Sequence, residues 1–172
     1  ERWSAAQIGE EHQFALDLAS AEIPAVAPLA LQGATLHTHG GFFFTLFPSV
    51  GGRQYEIDNL DQLEWVGRFL GRIHQVGGER LFAERPTMGV EEYLTAPRQV
   101  LADCGLLPAA QRDAFLLATD NLIAAIKAHW HLDWQPRRLH GDCHPGNILW
   151  RDGPLFVDLD DARNGPAVQD LW

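Results

Sequence analysis

The stretch Leu139-His140-Gly141-Asp142-Cys143-His144-Pro145-Gly146-Asn147 decides how the chain is read, together with Phe156-Val157-Asp158-Leu159-Asp160-Asp161 just downstream. Between them lie the apolar pieces Ile148-Leu149-Trp150 and Leu155-Phe156-Val157, flanking Arg151-Asp152-Gly153-Pro154. That order predicts an antiparallel hairpin with a tight turn. Antiparallel strands return the chain to its start, so a carboxylate before the first strand and another after the second arrive at the same end. Asp142 and Asp158 are therefore expected to be neighbours, with Asn147 at the foot of the first strand turning its amide oxygen to the same place. Oxygen donors of this kind suit Mg²⁺. Phosphoryl transfer needs one carboxylate to accept the proton of an attacking hydroxyl, and an Asn and a second Asp to hold metal against nucleotide phosphates. A lone Asp or Asn in a loop is ordinarily a turn former or a cap. Three at matched spacing around one hairpin favour the catalytic reading.

Upstream of this hairpin the texture is helical. After Pro108, a helix is expected with Phe115, Thr119, Leu122, Ile126 and Trp130 on one stripe, and a weaker one from Val90 to about Asp103 around Pro97. Leu60, Leu63, Val66, Leu70 and Ile73 recur every three or four residues until Gly77-Gly78, which is expected to close that helix. Nearer the start, Ser4 and Gln7 form a capping-box signature, and Ala5, Ile8, Ala15 and Leu18 follow at helical spacing. A helix is predicted from about Ser4 to Ala21, stopped by Pro24 and Pro28. Thr35 to Thr38 and Phe42 to Phe47 then read as two strands turning at Gly40-Gly41. The second is apolar on both faces and is expected to be covered on both, by the first helix on one side. The order predicts an α+β fold. Residues 1–48 form a small lobe of helix plus β-hairpin, residues 49–58 a hinge or linker, and residues 59–172 a mainly helical large lobe carrying the catalytic hairpin. Ligand clefts form preferentially between lobes, so the polar hairpin is expected to face the junction near Phe47 to Gly52.

Composition bounds these readings. A chain of 172 residues makes one domain or two small ones, and 46% hydrophobic with 21% charged residues excludes a disordered tail, a collagen-like fibre or a disulfide miniprotein. The net charge of −10 repels phosphate backbones, so nucleic acid is not an expected partner. Cys104 and Cys143 lie far apart without finger spacing, which encodes neither a disulfide framework nor structural zinc and fits a reducing, cytoplasmic setting. The most apolar run, Phe42 to Phe47, is far short of the roughly 18 residues of a membrane span, so no membrane partner is expected. The chain is read as a monomer. It begins without Met and is expected to be part of a longer one.

His140-Gly141-Asp142 with Asn147, then Val157-Asp158, resembles the catalytic loop and metal-binding Asp of the aminoglycoside phosphotransferase and choline kinase group, which is similar in fold to protein kinases. Further segments are Arg2-Trp3-Ser4, Glu10-Glu11-His12-Gln13-Phe14, Phe47-Pro48-Ser49-Val50-Gly51-Gly52-Arg53, Leu139 to Trp150 and Asp158 to Trp172. These resemble the bacterial stress response kinase A family, cytoplasmic Ser/Thr protein kinases linked to envelope stress. The resemblance runs the whole chain and covers roughly the middle half of such a kinase. It implies a protein-kinase-like two-lobe fold with both lobes partial, ATP as co-substrate, and a protein Ser or Thr hydroxyl as acceptor. It implies Asp142 as catalytic base and Asn147 and Asp158 as Mg²⁺ ligands, with a more direct catalytic role for Asp158 left open. Phe47-Pro48 becomes the connection beside adenine. Glu11 becomes the partner of the ATP-binding lysine, with Glu10 as its rival.

Around the base, His140 and His144 read as loop-ordering groups and Cys143 as a small buried side chain, while Asp160 and Asp161 either tune the metal site or face water. Gly141 stands where many protein kinases have the Arg that reads a phosphorylated activation loop, so regulation by that route is not expected. No glycine-rich G-x-G-x-x-G loop occurs, and the sole lysine, Lys127, lies between hinge and catalytic loop. Truncation is the expected reason. This piece alone is expected to turn over little or not at all, and to leave an unpaired sheet edge and apolar surface uncovered, part of Phe42 to Phe47 included. Three alternatives stay open. A small-molecule kinase would phosphorylate a sugar, amino alcohol or antibiotic hydroxyl with the same Asp142, Asn147 and Asp158. The others are a non-catalytic nucleotide-binding or scaffold protein, and a metal-dependent hydrolase built on His140, Asp142, His144 and Asp158.

Overall fold

The computed structural model describes residues 2–130 and 134–171. It divides into two compact units, Glu1–Pro86 with Pro136–Trp172, and Thr87–Gln135. Helix α1 (Ala5–Ser20) begins at the expected capping box: the Ser4 hydroxyl accepts the Gln7 N–H and the Gln7 side chain accepts the Ser4 N–H. Its buried face carries Phe14, Ala15 and Leu18. The chain then runs along the end of the predicted ribbon, where the Val26 N–H donates to the Phe156 carbonyl at 3.1 Å and the Phe156 N–H to that of Pro24 at 2.8 Å.

Strands β1 (His37–His39) and β2 (Phe42–Phe44) pair antiparallel about Gly40 and Gly41, both at positive φ, as the I′-type turns of short hairpins require. β2 is shorter than the apolar run suggested, and it is not covered on both faces: Phe42 is 72% exposed, and Phe43, Phe44, Leu46 and Phe47 are exposed as well. A run of aromatic residues satisfies the period-2 pattern of a buried strand without specifying what lies against it.

The short strand β3 (Arg53–Gln54) pairs antiparallel with β5 (Ile148–Trp150), which pairs with β6 (Pro154–Phe156). β5 and β6 are the predicted ribbon, in the register Ile148 opposite Phe156. β4 (Arg137–Leu139) and β7 (Arg163–Gly165) pair separately. Helix α2 (Leu60–Glu79), capped by the Asn59 side chain, buries Val66, Leu70, Ile73 and Val76. Gly77 and Gly78 do not end it, because Gly77 marks a close approach. A Cβ there would fall well inside the contact distance of the Arg138 carbonyl oxygen on β4. The core of this unit gathers Phe14, Leu18, Ile73, Phe156, Leu159 and Ala162 from α1, α2, the ribbon and the 3-10 turn that follows it.

In the second unit, a π-turn at Glu91–Thr95 leads into α3 (Ala96–Asp103), followed by α4 (Ala109–His129). Arg98 on α3 clamps Asp120 on α4 with two hydrogen bonds of 2.8 and 2.7 Å. α4 buries Leu116 and Ile123, whereas the predicted Phe115 and Leu122 are 42% and 56% exposed. The run Phe115-Leu116-Leu117 offers two competing stripes one residue apart, and packing selects the second. After Pro166 the chain forms a 3-10 turn over Ala167–Leu171. Among the described residues, no helix is long and apolar enough to cross a membrane.

Candidate active site

The loop after β4 is held from both sides. Asp170, fully buried in the 3-10 turn, accepts the His140 N–H at 3.0 Å on one carboxylate oxygen and the Gly141 N–H at 2.8 Å on the other. His74 Nε2 lies 2.9 Å from the first of these oxygens. His140 is itself buried, its Nε2 is 3.0 Å from the Val157 carbonyl oxygen, and burial pushes its pKa down. Its neutral ring thus ties the loop to the strand that leads into Asp158, in keeping with a loop-ordering part. Gly141 sits at φ +87, and a Cβ there would collide with the Asp161 carbonyl, so the loop and the segment after Asp158 meet backbone to backbone.

Asp142 leads into a 3-10 turn at Pro145–Asn147 that sets the foot of β5. The Asn147 amide nitrogen donates to the Asp142 carbonyl at 3.0 Å and to Asp142 Oδ2 at 3.1 Å. With the nitrogen so engaged, Asn147 Oδ1 is the atom that remains for another ligand. The Val157 N–H donates to the Asn147 carbonyl at 3.0 Å, which carries the ribbon register one residue past β6. The ribbon therefore brings Asn147 and Asp158 to one end. Asp158 is left-handed (φ 64, ψ 68), a strained conformation for a residue with a side chain and one that clusters at functional sites.

A carboxylate residue, Asp158, and an amide residue, Asn147, thus belong to the same end of the ribbon, and their oxygen chemistry fits a hard divalent cation. Among the described residues no three His, Cys, Asp or Glu side chains group closely enough to hold a metal. A cation here would need the Asn147 amide oxygen and phosphate oxygens besides the carboxylate. Cys143 is mostly buried, and burial pushes its thiol up to about 12, far from a reactive thiolate.

A cavity of about 600 Å³ opens beside Asp158. Its wall includes Glu11, His12, Phe47, Pro48, Leu149 and Asp158, so Glu11, Phe47, Pro48 and Asp158 of the expected site share it, whereas Asp142 and Asn147 do not line it. Glu10 and Glu11 separate cleanly. The Glu10 carboxylate accepts the N–H groups of Ala83, Glu84 and Arg85 at 2.7–3.0 Å, a structural cap. Glu11 points into the cavity wall with 8% exposure, 3.6 Å from Arg85. Burial, opposed by Arg85 and reinforced by Asp160 and Asp158, raises its pKa to about 7.

Two groups at this site escaped the sequence reading. Arg85 is fully buried and holds the Gln7, Asp160 and Ala162 carbonyls with Nε and Nη1, while its guanidinium stacks on Trp3 at 4.5 Å. His12 lies between the Thr35 and Thr45 hydroxyls, at 2.8 and 3.2 Å, with its ring edge-on to Phe47. Burial, with Arg85 nearby, lowers its pKa. Both partner sets are distant in sequence, so no local spacing marks them. Asp160 and Asp161, left between two readings by the sequence, pair with Arg2, and Asp161 also with Arg163.

Comparison with known proteins adds to this geometry. The model of the phosphotransferase enzyme family (APH) matches residues 1–172. Stress response kinase A of Escherichia coli K12 is 64% identical over all 172 residues, which make up 52% of that protein. A serine/threonine protein kinase named RdoA, from Salmonella typhimurium, is 62% identical over the same span. The chain thus spans about half the length of the curated relatives it matches. Among solved structures, amicoumacin kinase hAmiN in complex with AMP-PNP, Ca²⁺ and Ami superposes with a TM-score of 0.78 at 19% identity, over 99% of this chain and 52% of that one. An aminoglycoside phosphotransferase from Alicyclobacillus acidocaldarius gives 0.62 at 15% identity, over 98% and 57%. At such identities the likeness speaks for the fold: α+β and kinase-like, as expected.

Proposed function

The chain belongs to the phosphotransferase enzyme family, and from that premise we propose that it carries the catalytic core of an ATP- and Mg²⁺-dependent kinase whose acceptor is a Ser or Thr hydroxyl of a protein. The observation that carries this reading is the Asn147 amide bonded to Asp142 at the foot of a ribbon whose other end-residue is Asp158. In this reading Asp142 takes the acceptor hydroxyl proton as the new P–O bond forms, and the bond to the leaving ADP breaks. Asn147 Oδ1 and the Asp158 carboxylate would hold Mg²⁺, which neutralises phosphate charge when bound. Glu11, Phe47 and Pro48 line the 600 Å³ cavity; in this reading Phe47 and Pro48 stand beside adenine and Glu11 pairs with an ATP-binding lysine. Residues 1–48 belong to the nucleotide-binding lobe, 49–58 to the hinge and 59–172 to the large lobe. The identity to stress response kinases favours a protein acceptor and a role in bacterial stress response, and the two free cysteines fit a reducing, cytoplasmic setting. The names of the structural neighbours supply the second reading, a small-molecule hydroxyl as acceptor.

Transfer of labelled phosphate by the full-length protein tests both. Asp142→Ala and Asp158→Ala are each expected to lower kcat by roughly 10²-fold or more, the scale of losing a general base or a charge-stabilising ligand. Wild-type turnover in either variant defeats the assignment. Label appearing on Ser or Thr of protein supports the first acceptor class, and label confined to a small alcohol supports the second.

A further inference from the structure

His144 is the residue after Cys143, exposed on the surface of the loop, and its ring is seated rather than free. It is the N-cap of the turn Pro145–Asn147, with extended backbone (φ −88, ψ 163), and its Nδ1 accepts the Gly146 N–H at 3.0 Å. In a neutral imidazole one ring nitrogen donates and the other accepts, so the network assigns the hydrogen to Nε2. That nitrogen lies 3.5 Å from Asp142 Oδ2. The same oxygen already receives the Asn147 amide at 3.1 Å, and the His144 N–H donates to the Asp142 carbonyl at 2.9 Å. Residue 146 completes the seat. A Cβ there would stand 2.5 Å from His144 Cε1 and 2.9 Å from Nδ1, so only glycine lets the ring lie against the turn.

We propose that His144 is a positioning residue for the base: its Nε2–H and the Asn147 amide occupy Oδ2 of Asp142 from two sides and leave Oδ1 for the acceptor hydroxyl. This rests on the reading of Asp142 as the base. The 3.5 Å approach is a few tenths of an ångström longer than an ordinary N–H···O bond, and such contacts tighten when a catalytic site is engaged. Fixing which oxygen is free matters because a carboxylate that rotates presents the wrong lone pair, and small misplacements of reacting groups cost on the order of 10²-fold in rate. A residue that only capped the turn would act on loop stability and leave the orientation of Asp142 to Asn147.

The test uses the full-length protein. His144→Leu is expected to lower kcat roughly ten- to a hundred-fold with little change in KM for ATP, and His144→Gln, whose amide can still donate at the ε position, to recover most of the loss. Gly146→Ala is expected to lower kcat as well, by displacing the ring. On the wild-type protein, ¹⁵N chemical shifts of the neutral His144 ring are expected to report the Nε2–H tautomer, a readout that needs no variant to fold. The Nδ1–H tautomer, or wild-type kcat in a folded His144→Leu, overturns the proposal. Asp142→Asn separates the two levels: if it turns over like wild type, the base assignment fails. If it is dead while His144→Leu is fully active, only the positioning role fails.

Discussion

Glu10 and Glu11 are neighbours in sequence with opposite surroundings, and the difference has a pH signature. Glu10 is an acceptor for three backbone N–H groups, whereas Glu11 is desolvated in the cavity wall with its pKa raised from 4.5 to about 7. A raised carboxylate pKa means that the folded state holds its proton more tightly than the unfolded chain does. The Glu11 contribution is therefore most favourable below pH 4.5 and is lost as pH rises to 7. Across that window the loss is roughly 3 kcal/mol by the usual 1.36 kcal/mol per pKa unit. Glu11→Gln removes the titrating group, so the variant should be more stable than wild type at pH 8 and lose that advantage near pH 4.5. Urea unfolding at the two pH values checks this, and an unchanged pH slope counts against it. The same substitution should weaken nucleotide binding if Glu11 pairs with a lysine, which separates the stability effect from the functional one.

At the scale of the element, α2 contains glycines with opposite meanings. Gly77 is pressed against the Arg138 carbonyl of β4, whereas Gly71 has nothing within 4 Å of its Cβ position. Gly71→Ala should stabilise the protein by up to about 1 kcal/mol, the helix-propensity difference. Gly77→Ala gains the same propensity but forces α2 off β4, and should destabilise by roughly 1–3 kcal/mol, as overpacking does. Denaturant midpoints of the two variants should move in opposite directions, and movement in the same direction refutes the account. This pair shows where sequence reading succeeds and where it stops. The capping box at Ser4 and Gln7, the α2 stripe Val66, Leu70 and Ile73 and the ribbon around Arg151-Asp152-Gly153-Pro154 were legible because each rests on local spacing, whereas Leu60 and Leu63 of the same expected stripe, in the first turn of α2, are exposed. A Gly-Gly pair reads locally as a helix end, because only the tertiary neighbour Arg138 reveals the close approach. Likewise Asp142, Asn147 and Asp158 were legible as a motif, but Arg85, His12 and Asp170 were not, because their partners lie far away along the chain.

For the whole molecule, two surface properties oppose each other. The net charge of −10 favours mutual repulsion and solubility. The β1–β2 hairpin presents Phe42, Phe43 and Phe44, with Leu46 and Phe47 following, as contiguous exposed apolar side chains. Clusters of this kind drive association, and high salt screens the charge that resists it. Phe42→Thr should reduce self-association in 1 M salt with less than about 0.5 kcal/mol change in stability, the usual range for surface substitutions. Light scattering and a thermal melt check both halves, and undiminished scattering would place the sticky surface elsewhere. The opposite property, a surface with no room at all, is found at Gly141. Because the carbonyl of Asp161 fills the space where a side chain would begin, a point mutation cannot install an arginine lever at this spot without prying two backbones apart. An ancestor or engineer seeking a phosphate-operated on/off handle would have to add it somewhere else in the polypeptide.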